Sequence, residues 1–236
     1  MALIRIALLL VAWTSYSIAY TSPNPAPPPE RQTSYQKLGP ALGAAFMQPN
    51  YSRLRAVMQK IFVSGLMVLE VAFASDVSSI RQLLPAATGP AHQPSYISPG
   101  FVLGVLCTLS GALVRIWSYH VMGAHFTFQL SLLKDHKLIT TGPYAYVRHP
   151  SYTALFMTVV GIFICELSGG SWFMEAHVFD TLLGKVIALC AACCIVILVS
   201  VVSRSTKEDK LLSESFGKEW TEWEKRVPYR FIPGLM

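Results

Sequence analysis

Five apolar runs alternate with polar segments along the chain. The first covers residues 1–20 and carries one charge, Arg5. The second covers about 57–75 and is interrupted by Glu70. The third covers 99–122 and contains Arg115, which is expected to mark the end of a hydrocarbon span by snorkelling. The fourth runs from near Tyr152 to near Cys165. The fifth, Val186–Ser203, has no charged residue. Twenty apolar residues make a helix roughly 30 Å long, enough to cross a bilayer. The pattern therefore predicts an all-α integral membrane protein with about five transmembrane helices.

Composition supports this class and excludes others. Charged residues make up 14% of the 236 positions and the apolar set 53%, with a mean hydropathy of +0.44. A soluble domain has about 25% charged residues to form its polar shell. Disorder needs low hydrophobicity and high charge, the opposite of this composition. The net charge of +6 is read as basic cytoplasmic loops, with no nucleic-acid partner. The five cysteines, Cys107, Cys165, Cys190, Cys193 and Cys194, all sit in apolar runs and read as small packing residues.

The polar segments divide the chain and orient it. Residues 1–20 read either as a signal peptide, with Ser17-Ile18-Ala19 as its cleavage site, or as a first membrane helix. Residues 21–60 carry Arg31, Lys37, Arg53, Arg55 and Lys60 against Glu30, which favours the cytoplasm and an uncleaved anchor. Five prolines within Thr21–Glu30 predict an extended linker, and 21–56 is read as a Pro-rich connection to a domain at 57–236. Basic residues also collect at 134–148 and 204–230. With five spans these segments fall on one side, the cytoplasmic one, and the acidic loop Glu166–Asp180 on the other. The tail from 204 is predicted to be helical through about Lys225, until Pro228 and Pro233 end regular structure.

Two polar segments carry the candidate chemistry. His136–Tyr152 is dense in hydrogen-bonding groups and rings, and Gly142, Pro143 and Pro150 shape it into a rigid loop. An interfacial aromatic belt accounts for its composition but not for those turn residues. Beyond the fifth run, Arg204 and Glu208 stand at i and i+4 on one helical face. As a surface pair they would be worth only ~0.3–0.5 kcal/mol. There is no H-E-x-x-H and no convincing His/Cys ligand spacing, so no metal is expected.

The run Leu138–Tyr152 with R-H-P-x-Y, followed by R-x-x-x-E-D-x-x-L-x-x-x-F-G-x-x-W-x-x-W at 204–223, resembles the isoprenylcysteine carboxyl methyltransferase family. Arg226-Val227-Pro228 and Ile232-Pro233 add to the likeness, which covers roughly 100–236. R-H-P-x-Y alone is shared with related phospholipid methyltransferases and sterol reductases. The paired motif is more selective.

The resemblance implies a cytoplasm-facing S-adenosylmethionine pocket, built from the 123–152 loop and the C-terminal helix. Gln129 matches a cofactor contact, and His136, Lys137, Leu138 and Ile139 a backbone-lined stretch around it. Tyr144 matches a ring packed on the cofactor. Arg148, His149, Pro150, Ser151 and Tyr152 match the signature turn, Glu208 a carboxylate holding the cofactor, and Arg204 the catalytic residue placed at the substrate. The substrate implied is the C-terminal α-carboxylate of a prenylated cysteine in a processed CaaX protein. The setting implied is the endoplasmic reticulum membrane, among membrane lipid, with the C-terminus cytoplasmic. Three positions depart from the pattern: Ala154 stands for the usual Gly, Asp209 for a second Glu, and Trp220 and Trp223 for Tyr. Competing readings are a phospholipid N-methyltransferase, which needs a base to deprotonate its amine, a non-catalytic membrane scaffold or sterol-binding module, and a distant NADPH-dependent sterol reductase.

Overall fold

The computed structural model describes residues 1–25, 49–75, 96–126 and 137–235, with backbone alone at 49–53, 197 and 200–203. Gln129 and His136 lie outside the described residues, as do most of the Pro-rich linker and most of the 76–98 loop. Among the described residues every regular element is helical: α1 (Ala2–Ala19), α2 (Pro49–Ala74), α3 (Pro99–Met122), α4 (Pro150–Glu166), the short α5 (Trp172–Glu175), α6 (Leu182–Phe216) and α7 (Lys218–Arg226). Three helical stretches are long and apolar enough to cross a membrane: Ala2–Ala19, Leu54–Ala74 and Pro99–His125. Pro150–Glu166 is apolar but shorter, and the described stretch Leu182–Val196 of α6 is apolar as well. Three of the five expected spans are thus matched among the described residues, and the fifth lies in α6, a helix of 35 residues.

Local chemistry sets where these helices begin. Ser98 caps α3 by accepting from the Phe101 amide at 3.2 Å, with Pro99 in the first turn, where its missing N–H is harmless. Pro150 starts α4 in the same way. Thr181 caps α6 through the Gly184 amide at 3.0 Å. α2 starts at Pro49, about two turns before its apolar run.

Contacts between helices show that successive elements run antiparallel. Trp13 Nε1 of α1 donates to Ser64 Oγ of α2 at 2.9 Å, and Arg5 meets Glu70 at 3.5 Å. The core joins Leu9, Ala12 and Tyr16 to Val63, Met67, Phe101, Val105, Val159 and Ile162. Leu3, Leu103, Leu106, Leu113, Phe156 and Val196 face outward, as a lipid-facing surface requires.

Small residues bring α3 and α4 close together. A Cβ on Gly161 would stand 2.6 Å from the Thr108 amide nitrogen and 2.7 Å from the Gly104 carbonyl oxygen. Gly111 meets the Ala154 carbonyl in the same way at 2.7 Å. Apolar side chains gain little from one another in lipid, so close backbone packing of this kind is what holds two such helices together. Ala154, the first departure from the family pattern, is fully buried at this contact.

Four expectations need correction. Arg115 does not snorkel. It is buried and donates to the Ala19 carbonyl at 2.6 Å and to the Ser151 carbonyl and hydroxyl at 2.6 and 2.8 Å. It thus satisfies one carbonyl left open at the end of α1 and reaches the first turn of α4, and so ties α1 and α4 together. Glu166 belongs to the last turn of α4, where it is buried, and not to an exposed acidic loop. Cys190 and Cys193 are exposed among the described residues and so are not packed in the core. The tail is not one helix: Gly217, at φ +51°, breaks it between α6 and α7.

Candidate functional site

The site lies at the end of the bundle where α4 starts and α6 passes its apolar run. Gly142 adopts φ +60°, and a side chain there would strike Val121, 2.7 Å from where its Cβ would stand. Glycine thus lets the 3-10 turn Gly142–Ala145 lie directly on α3. The turn buries Tyr144, whose hydroxyl meets Met122 Sδ at 2.8 Å. Trp223 of α7 donates its indole N–H to the Tyr144 carbonyl at 3.1 Å. Trp220, Trp223 and Val227 pack with Tyr144, and Leu138, Ile139, Leu212 and Phe216 lie against them. The two tryptophans that replace the family's tyrosines are thus structural packing for the turn. Burial, and then the neighbouring Glu208 charge, hold the Tyr144 hydroxyl well above its ordinary pKa.

The two motifs far apart in sequence meet here. The Tyr152 hydroxyl donates to Glu208 Oε2 at 2.6 Å. The Arg204 guanidinium lies 5.9 Å from the centre of the Tyr152 ring. The His149 ring stacks on Tyr152 at 5.3 Å and 10°. Tyr144, His149, Tyr152, Arg204 and Glu208 therefore converge, with Leu138 and Ile139 at the flank. Lys137 is exposed, and Pro150 and Ser151 are buried in the start of α4, where Ser151 faces Arg115. Arg148 is buried and holds Glu224 Oε1 in a short ion pair, with the Pro228 carbonyl at 3.4 Å.

Asp209 is the residue that sequence reasoning undervalued. It is 4% exposed and gathers one imidazole and two guanidinium groups: His149 Nε2 at 2.8 Å, Arg230 Nε at 3.1 Å and Arg148 Nη2 at 3.7 Å. An ionised carboxylate only accepts, so His149 Nε2 carries the proton in this bond. Backbone bonds extend the clamp, since the Arg148 and His149 amides donate to the Tyr229 and Arg230 carbonyls at 2.9 and 2.8 Å. The C-terminal segment is thus a strap tied across the start of α4. Asp209 adjoins Glu208 in the motif and Arg230 follows Pro228 by two. Those positions were the only sequence signal for them.

Burial pushes the Asp209 carboxyl up. The hydrogen bond from His149 and the charges of His149, Arg148 and Arg230 outweigh that and hold it below the usual carboxylate range. A carboxylate with a lowered pKa stabilises the fold above its unfolded value, ~3.9. That contribution is lost as pH falls from there through the folded value. The Arg148 and His149 amides are thus expected to keep their hydrogen-exchange protection at neutral pH and lose it below about pH 4. In Asp209→Asn the protection should already be weaker at pH 7, by about 2 kcal/mol, and the acid step should vanish. An acid step unchanged in the variant would show that another group controls the strap.

These features define a helical, multi-pass membrane protein with an aromatic and ionic site closed by its own C-terminal strap. Residues 103–214 match the model of the isoprenylcysteine carboxyl methyltransferase (ICMT) family. It is 34% identical over 95 residues to the protein-S-isoprenylcysteine O-methyltransferase of Schizosaccharomyces pombe, covering 40% of this chain and 33% of that one. With the human protein of the same name it shares 28% over 141 residues, 57% of this chain and 42% of the relative. It is also 34% identical over 104 residues to a probable 7-dehydrocholesterol reductase of Acanthamoeba polyphaga mimivirus, covering 44% of this chain and 20% of that protein. The chain thus spans between a fifth and about two fifths of the length of these relatives.

Proposed function

We propose that the protein transfers a methyl group from S-adenosylmethionine to the C-terminal α-carboxylate of a prenylated cysteine. The observation that carries this reading is the meeting of Arg204, Glu208 and Tyr152, one cation, one anion and one ring, at the end of an apolar bundle. S-adenosylmethionine, when bound, supplies an electrophilic methyl group on a sulfonium. The residues fit such a cationic, partly aromatic group. Glu208 offers charge balance, and the rings of Tyr144 and Tyr152 offer faces that attract a cation. By the family motif, Gln129 and His136–Ile139 would line the same pocket.

The acceptor chemistry asks little of the protein beyond placement. An α-carboxylate has an unperturbed pKa of ~3.3–3.7, so at neutral pH it is already the nucleophile and needs no base. Arg204 holds it by its two-pronged fork and sets the line of attack. The strap from Val227 to Pro233 covers the start of α4 and keeps water away from the reacting groups. The prenyl tail is too apolar to be presented from water, and the cavity between α2, α4 and α6 receives it from the bilayer. In this reading α1 stays attached, since its buried face is part of the core. The basic segments face the cytoplasm, and the membrane is that of the endoplasmic reticulum.

A methyl-transfer assay on membranes containing the protein tests the reading. Labelled S-adenosylmethionine is supplied with N-acetyl farnesylcysteine or with phosphatidylethanolamine. Label is expected in the ester of the first and not in the second. Transfer to phosphatidylethanolamine alone would make the protein a phospholipid methyltransferase. Transfer to neither would leave the scaffold or reductase readings.

A further inference from the structure

The C-terminal strap carries a preformed turn just beyond its last tie to α4. Thr153 Oγ1 donates to the Phe231 carbonyl at 2.7 Å, and the Phe231 ring lies 5.9 Å from that of His149. The next four residues close on themselves, since the Leu235 amide donates to the Ile232 carbonyl at 3.2 Å. Pro233 and Gly234 take the two central positions, with Gly234 at φ +82°, as a type II turn requires. Phe231 thus faces the site, whereas Ile232 is 48% and Leu235 75% exposed. Two large aliphatic side chains held in water are unfavourable, and each gains by leaving it. Because the turn is already formed, little ordering is left to oppose a partner.

The position of the turn identifies that partner. Thr153 stands in the first turn of α4, and Phe156, three residues on, is exposed on the same face. Phe156 belongs to the outward apolar surface that faces lipid. Three residues advance ~4.5 Å along the helix axis. The headgroup layer on each side of the hydrocarbon core is ~5–7 Å thick. The tie between Thr153 and Phe231 therefore sets Ile232 and Leu235 in the headgroup layer, about one helical turn from a lipid-facing ring. The backbone suits that layer, because Pro233 has no N–H to satisfy and the Leu235 N–H is used within the turn. Tyr229, exposed on the same strap, is a residue that the membrane–water boundary favours.

We propose that the Ile232–Leu235 turn is a membrane-surface anchor, which enters the headgroup layer of the bilayer and so holds the strap across the start of α4. This anchor does not depend on the reaction catalysed. The test places photoreactive benzoylphenylalanine at 232 and, separately, at 235 in the full chain, reconstituted in phosphatidylcholine vesicles. Irradiation is expected to add one phosphatidylcholine to the peptide that follows Arg230, at both positions. Crosslinks to a second copy or to another segment of the chain overturn the proposal. Recovery of that peptide without lipid overturns it as well.

Hydrogen exchange in the same vesicles tests the hold on the strap. The Arg148 and His149 amides donate to the strap at 2.9 and 2.8 Å. With Ile232→Glu and Leu235→Glu combined, their protection is expected to fall about tenfold, roughly the factor that burying one aliphatic side chain supplies. Ile232→Leu with Leu235→Ile keeps the apolar surface and should leave protection at the wild-type value. Protection unchanged by the two glutamates would show that lipid does not hold the strap. An equal fall in the Leu–Ile variant would show that side-chain shape within the turn fixes it instead, and either result overturns the proposal.

Discussion

Arg204→Lys is expected to leave turnover nearly as low as Arg204→Ala, about a hundredfold below the wild type. Lysine keeps the charge but loses the planar fork that grips both oxygens of a carboxylate. In-line attack tolerates little displacement, and an error of ~1 Å in placement costs about 10²-fold. The guanidinium lies beside the Tyr152 ring, whose hydroxyl is already committed to Glu208. A cation fixed by one point has no second partner on that ring to orient it. Steady-state turnover of both variants at matched membrane levels decides the matter. If Arg204→Lys keeps most of the activity, the oriented-carboxylate mechanism is wrong even if methyl transfer occurs. Glu208→Gln separates the two substrates. It keeps an acceptor for Tyr152 but removes the charge, and should raise KM for S-adenosylmethionine more than for the prenyl substrate. An unchanged KM for S-adenosylmethionine would remove Glu208 from the cofactor site.

The sequence showed the site in part because its chemistry lies in two short motifs. Arg204 and Glu208 stand one helical turn apart, so their shared face followed from spacing alone. That this face meets Tyr152 did not follow, because the contact joins positions 52 and 56 residues apart. Asp209 looked like a conservative shortening of a glutamate. Its importance lies in its partners, and Arg230 is brought to it by the return of a segment that carries no periodic pattern. Arg115 was misread for a related reason. In a hydropathy trace a charge near the end of an apolar run looks like an anchor in the interface. Only the packed structure shows that the end of α1 and the start of α4 offer it carbonyls. Helix existence was legible because 20 apolar residues have one solution in lipid. The break at Gly217 was not, since glycine near a helix end is tolerated in either state.

Arg5→Ala is expected to be among the most destabilising single changes outside the site, by about 3–5 kcal/mol. Arg5 is fully buried. It faces Glu70 at 3.5 Å, donates to the Tyr96 carbonyl at 2.6 Å and lies 4.2 Å from the Phe101 ring centre. Removing it strands a buried carboxylate and a buried carbonyl at once. The charge count adds an asymmetry. One guanidinium serves two buried acids, Glu70 and Glu166, which also act on each other. Losing Arg5 leaves both without a cation, whereas losing Glu70 leaves Arg5 with Glu166. Glu70→Ala should therefore be milder than Arg5→Ala, although both cut the same ion pair. Replacing both by leucine should cost less than the sum of the single changes, because well-packed apolar groups need no partner. Thermal unfolding in detergent measures this. A loss of 3–5 kcal/mol corresponds to a fall of about 10 °C for a chain of this size. Equal losses for the two alanine variants would show that Glu166 takes no part in the cluster. A shift of less than 1 °C for Arg5→Ala would mean that α1 is not held in the bundle by this charge.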